Sequence, residues 1–152
     1  MRGLDPRIPA RADRRMTRPA TLCDAAERIA RGAPRDATLA EFLDAFYLAP
    51  TAGARLAMLA DEPAPSGDAQ LDALLAAIAE YLAKQHRIGH VPAWVAGPER
   101  VLAEPWFTTP VDSDALREYL ALTSPAEFIH HNIFTAPAPL RRARQREGHP
   151  HA

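Results

Sequence analysis

The sequence predicts an all-α protein: a compact bundle of about five to seven helices, an aromatic, proline-rich loop, and disordered termini. Apolar residues recur at helical spacing in several windows. Alanine, the best helix former, supplies roughly a fifth of the chain, about twice its usual share. No stretch alternates long enough to build a sheet; the best strand candidates, around 91–95 and 133–135, are too short.

The elements follow in order. Thr21 and Asp24 have the spacing of a capping box with Asp in place of Glu, and Gly32 suits the stop of that first helix. In the second, Leu39, Phe42, Leu43, Phe46 and Tyr47 fall at i, i+3, i+4, i+7 and i+8, with Glu41 and Asp44 off the stripe. Asp36 or Thr38 is expected to cap it and Pro50 to close it. A short third helix over 51–60 offers Leu56 and Leu59, and DEPAPSGD (61–68) is a loop by composition. Asp68 caps the longest helix, which runs to about residue 85 on a stripe of Leu71, Leu74, Leu75, Ile78 and Leu82 with Tyr81 at the margin. Gly89 and Pro92 end the helical period.

Residues 93–110 hold Trp94, Pro98, Pro105, Trp106, Phe107 and Pro110, and only 98–103 reads as helical. Asp112 or Ser113 starts a helix carrying Leu116, Tyr119 and Leu120. Ser124-Pro125-Ala126-Glu127 spells a full capping box, opening a last helix that leads into Phe128, Ile129, Ile133 and Phe134.

A chain of 152 residues accommodates one core, assigned to 20–143, with disordered segments at 1–19 and 144–152. The opening MRGLDPRIPARADRR resembles the translated form of a short palindromic repeat found between bacterial genes, which would make Met16 the start. The net charge of −1 conceals segregation: residues 1–20 carry +4, residues 137–152 carry +3, and the body between them carries −8. Phosphate backbones need positive surface, so the body is a poor match for nucleic acid and a better one for a basic protein face. The lone Cys23 excludes an internal disulfide and is expected as a small buried thiol. No apolar run reaches membrane length, and the chain is expected to be cytoplasmic.

Motifs for chemistry are sparse. His86 and His90 are four apart, but Gly89 interrupts the helix and no acid follows His86, so polar surface histidines are expected and no metal. His130 and His131, as helical neighbours, would point about 100° apart and not share an ion. GxSxG, GxGxxG and P-loop patterns are absent, and no cofactor is expected. The first two helices are joined too loosely for a helix-turn-helix. The large aromatics of the loop either pin it to the bundle or anchor a partner.

The runs VPAW (91–94), PERVLAEPWF (98–107) and LREYLALTSPAEFIHHNIFTAPAPLRRA (116–143), with EFLDAFYLAP (41–50), resemble a family of small bacterial helical proteins. Their pattern is PxW, then P-x-R-F-L-x-x-x-W-F, then SPxxF with IF five residues on, and Val101 replaces the Phe after its Arg. Members tend to be encoded beside nucleotidyltransferase-like toxins, so the resemblance implies a non-enzymatic, antitoxin-like partner protein. Where such proteins carry arginines after the Phe, this chain has Ile129, His130 and His131. The expected partner-binding residues are Trp94, Trp106, Phe107, Phe128, His130, His131, Arg141 and Arg142. The alternatives are a DNA-binding regulator using its basic termini and a histidine-dependent enzyme.

Overall fold

The computed structural model describes residues 17–140. Its helices are α1 (Leu22–Ala30), α2 (Arg35–Leu48), α3 (Ala52–Ala60), α4 (Ala69–Gln85), α5 (Asp114–Thr123) and α6 (Ala126–Ile129). Two 3₁₀ turns, Ala93–Ala96 and Pro98–Arg100, follow α4. Two residues of strand, β1 (Trp106–Phe107), pair in parallel with β2 (Ile133–Phe134). The protein is thus mostly helical, as its periodicity predicts. The short candidate at 133–135 does form a strand, but against Trp106 and Phe107 rather than residues 91–95.

Helix α4 is the axis of the molecule. A one-sided stripe is expected there, yet Leu71 to Ala73, Leu75 to Glu80, Leu82 and Ala83 are all buried. A helix apolar on every side belongs inside. Ala73, Ala76, Ala77, Ala79 and Ala83 make this possible, since a methyl lets α1, α3, α6 and the 3₁₀ turns approach the backbone closely. Around it lie Leu22, Phe42, Phe46, Leu59, Phe128 and Ile133, all buried.

Local signals place most helix ends. Thr21 Oγ1 accepts from Asp24 N at 3.0 Å, and the Asp24 carboxylate reaches one residue further than a capping box, to Ala20 N. Gly32, at φ +107, closes α1: Gly32 N donates to Ile29 O and Ala33 N to Arg28 O, a Schellman stop. Asp68 caps α4 through Gln70 and Leu71 N–H groups.

Other ends differ from expectation. Helix α2 begins after Pro34 with no side-chain cap, and Thr38 is buried in its first turns. Its C-terminal carbonyls, Phe46 O and Tyr47 O, accept instead from Arg55 of α3, both at 3.1 Å. The Ser124 box does not form. Ser124 Oγ ties Leu120 O to the Thr135 backbone, and Glu127 is buried. Serine's hydroxyl closes α5 rather than opening α6. The boundary at residue 20 also moves, because Pro19 is buried and Thr17 O accepts from Arg28 Nη1 at 2.7 Å. The expectations for 1–16 and 141–152, Met16 and the C-terminal tail included, lie outside the described residues.

Helix α4 ends at Gln85, as expected, and Arg87 rather than Gly89 takes the left-handed position that closes it. Arg87 takes φ +50, Arg87 N donates to Lys84 O, and Ile88 N donates to Ala83 O as its side chain enters the core. A left-handed conformation costs a residue with a Cβ about 1 kcal/mol. Arg87→Gly is therefore expected to raise stability by about 0.5 kcal/mol, net of glycine's greater freedom in the unfolded chain. Urea unfolding of the two proteins measures it; a loss of stability would show that the Arg87 side chain contributes more than its backbone costs.

Candidate functional site

The segment between α4 and α5 has little regular structure, so its order must come from side chains. Arg100 provides most of it. Its guanidinium is 1% exposed, donating from Nη1 to Asp72 O at 3.0 Å and from Nη2 to Pro63 O at 2.7 Å and Glu62 Oε2 at 3.2 Å. It lies 4.8 Å from the Trp94 ring centroid, and Trp94 Nε1 donates to Leu59 O at 3.0 Å. Arg100 Nε has no hydrogen-bond partner, and the negative face of the indole offsets part of that cost. Trp94 thus pins the loop to the bundle.

The backbone of Arg100 continues the chain of contacts. Its carbonyl accepts from His131 Nδ1 at 2.8 Å, while His131 Nε2 lies 2.8 Å from Glu80 Oε1 on α4. The second oxygen of Glu80 accepts from His130 Nδ1 at 2.7 Å and Lys84 Nζ at 3.0 Å. Burial pushes the Glu80 carboxyl up, but the hydrogen bonds from His130, His131 and Lys84 outweigh it and hold the group below its ordinary range. With Glu80 ionised and a carbonyl opposite Nδ1, both ring nitrogens of His131 face acceptors.

The expected divergence of the two histidines is overturned: they converge on one carboxylate. The backbone at His130 is still helical (φ −56, ψ −24), and the two rings reach different oxygens of Glu80 from either side. Asn132 then takes φ +67, and its side-chain amide donates to Leu102 O at 2.9 Å. Leu102 N, Trp106 N and Thr108 N donate to His131 O, Asn132 O and Phe134 O, fastening the loop to β2.

Beside Glu80 opens a hollow of about 400 Å³, lined by Glu80, Lys84, His130 and His131 with Val91, Val95, Ala96 and Val101. This volume falls within the range of small-molecule sites. Its lining holds no hydroxyl or thiol. Among the described residues, no group of three or more His, Cys, Asp or Glu is placed to hold a metal.

The other expected site residues scatter. Trp106 and Phe107 are half-buried on β1; Arg35 stands over the Trp106 ring, and Phe107 stacks on Phe134 at 5.0 Å with Arg117 on it at 4.9 Å. Phe128 and His131, expected to face a partner, are interior at 2% and 3% exposure. Phe128 packs edge-on against Tyr81 because the α6 stripe faces α4. Arg141 and Arg142 lie outside the described residues.

His86, expected on the surface, is half-buried with its ring 5.4 Å from both Phe46 and Tyr47; burial and then Arg55 keep it below its ordinary range. Cys23 is half-buried rather than buried and donates to Asp61 O at 3.1 Å. Burial and the Asp61 and Glu27 charges push its thiol up, the opposite of a reactive cysteine. Arg100 and Glu80 are the residues that sequence reasoning missed. Their long-range hydrogen-bond partners lie 28 to 51 positions away, and the P-x-R element of the family pattern is the one signal that marked Arg100.

No protein-family model, curated protein or solved structure matches this chain.

Two predictions follow from the network. Arg100→Met removes the donors to two buried carbonyls and is expected to cost about 3 kcal/mol in chemical unfolding; a cost below about 1 kcal/mol would show these contacts to be incidental. The depressed Glu80 carboxyl stabilises the fold above its ordinary range, and that contribution is lost as pH falls through the folded-state value. Stability should therefore drop between about pH 5 and pH 3, and Glu80→Gln should flatten the drop while lowering stability at neutral pH. A parallel pH profile in the variant would refute the assignment.

Proposed function

We propose that this chain is a non-enzymatic, antitoxin-like protein that binds a basic partner through the outer face of α5. The observation that carries it is the exposure of Tyr119 (53%) and Leu122 (79%), neighbours on that helix. Helix α5 is held inward by Leu120 and makes only sparse contact with every other element. Asp114 and Glu118 flank the two apolar side chains on the same surface.

Charge supports the nature of the partner. Residues 17–140 hold sixteen Asp and Glu against nine Lys and Arg. Many of those cations are engaged internally: Arg100 is buried, Lys84 and Arg28 pair with Glu80 and Asp24, Arg55 caps α2, and Arg117 lies on Phe107. The surface left over is acidic, and an aromatic and a leucine within it form the common centre of a protein interface. The same charge opposes DNA binding by the folded body. No helix among the described residues is long and apolar enough to cross a membrane. The family resemblance narrows the partner to a nucleotidyltransferase-fold toxin; the cytoplasmic setting comes from the sequence reading of its apolar runs.

Co-expression with the product of the adjacent gene tests this. A complex is expected on size exclusion, and Leu122→Asp should weaken it at least tenfold, about 1.4 kcal/mol, with thermal unfolding unchanged. A neighbour that neither binds the chain nor loses toxicity in its presence would sink the proposal.

A further inference from the structure

We propose that the hollow beside Glu80 is a binding site for a small monocarboxylate with a short apolar tail. The site is separate from the partner-binding face and shares no residue with it.

Hydrogen-bond accounting at the rim sets the sign of the ligand. Glu80 Oε1 is taken by His131, and Oε2 by His130 and Lys84. The carboxylate is almost wholly shielded, and its acceptors are occupied from the protein side. What remains for a ligand is donor capacity. Lys84 Nζ carries three N–H bonds, of which Glu80 takes one, and the Lys84 side chain is 44% exposed. His130 is bonded to Glu80 through Nδ1 and is 52% exposed, leaving Nε2 as a second polar atom beside the hollow. His131 uses both ring nitrogens inside the protein and offers a ligand none. The Lys84 ammonium is thus the lining group with donors to spare.

The opposite walls are apolar. Val91, Val95, Ala96 and Val101 come from the segment that Arg100 holds in place, and Val101 is exposed at the edge. A ligand acid group on Lys84 would lay its hydrocarbon along these valines. Apolar burial there adds affinity, while the donors fix orientation. A bare inorganic anion would leave the valine wall unused, and an alkylammonium would be repelled by the Lys84 ammonium.

The test is a titration of the full chain with butyrate, benzoate, butylamine and inorganic phosphate, followed by amide chemical shifts. Butyrate or benzoate is expected to bind with a Kd in the low-millimolar range or tighter, with shifts at residues 84, 91–101 and 130–131. Lys84→Met should weaken binding about tenfold, the worth of one charge-assisted hydrogen bond. Val101→Asp, at an exposed position that leaves folding intact, should abolish it by placing a carboxylate at the tail wall. Butylamine binding as well as butyrate, phosphate binding better than either acid, or Lys84→Met leaving the affinity unchanged would each overturn the proposal. So would the absence of shifts up to about 50 mM acid, weaker than any useful site.

Discussion

The structure depends on one buried chain of polar contacts, from Pro63 and Asp72 through the Arg100 guanidinium, then from the Arg100 carbonyl through His131 to Glu80. An isolated charge would not survive in such a place, because desolvation costs several kcal/mol per ion. Here each charge is met by carbonyls, a carboxylate or an aromatic face. The links join the loop before α4, the turns after it, and the strand following α6, all by side chains. Regular structure stops at residue 85 and does not resume for any length until Asp114. The segment between them is ordered because α4 is rigid and offers Glu80 and the Asp72 carbonyl at fixed positions.

Periodicity and capping chemistry made the bundle legible. The Leu39–Tyr47 stripe, Thr21, Gly32 and Asp68 each fix a local conformation by contacts a few residues away, and such contacts are written in the nearby sequence. The network was not legible. Arg100 reads as one exposed arginine among many, and Glu80 as a charge near the margin of an amphipathic helix. Nothing local distinguishes a carboxylate facing water from one facing two histidines fifty residues away. His130 and His131 were noticed but misplaced, because the carboxylate they share comes from α4, fifty residues away. Phe128 was placed outside for a related reason: its motif stands out, and the face of α6 that meets Tyr81 does not announce itself in a four-residue helix.

The charge layout and the two proposed sites have a common origin. Drawing arginines inward to satisfy carbonyls leaves carboxylates outside, so the interior network shapes the exterior field. The hollow beside Glu80 is the local exception, where one buried acid gathers a lysine and two histidines. A protein-facing surface around α5 and a donor-lined hollow on α4 can therefore coexist on a chain whose net charge is nearly zero.

The alanines of α4 carry a consequence for how this protein tolerates change. On an exposed helix, alanine exchanges freely with serine, glutamate or lysine at a cost of tenths of a kcal/mol. At positions 73, 76, 77, 79 and 83 a larger side chain would push a neighbouring element off the axis, and glycine would loosen the axis itself. The stretch with the blandest letters is thus the least replaceable. Sequence drift in this protein should run around α4, leaving a run of small residues whose importance shows in what never grows there.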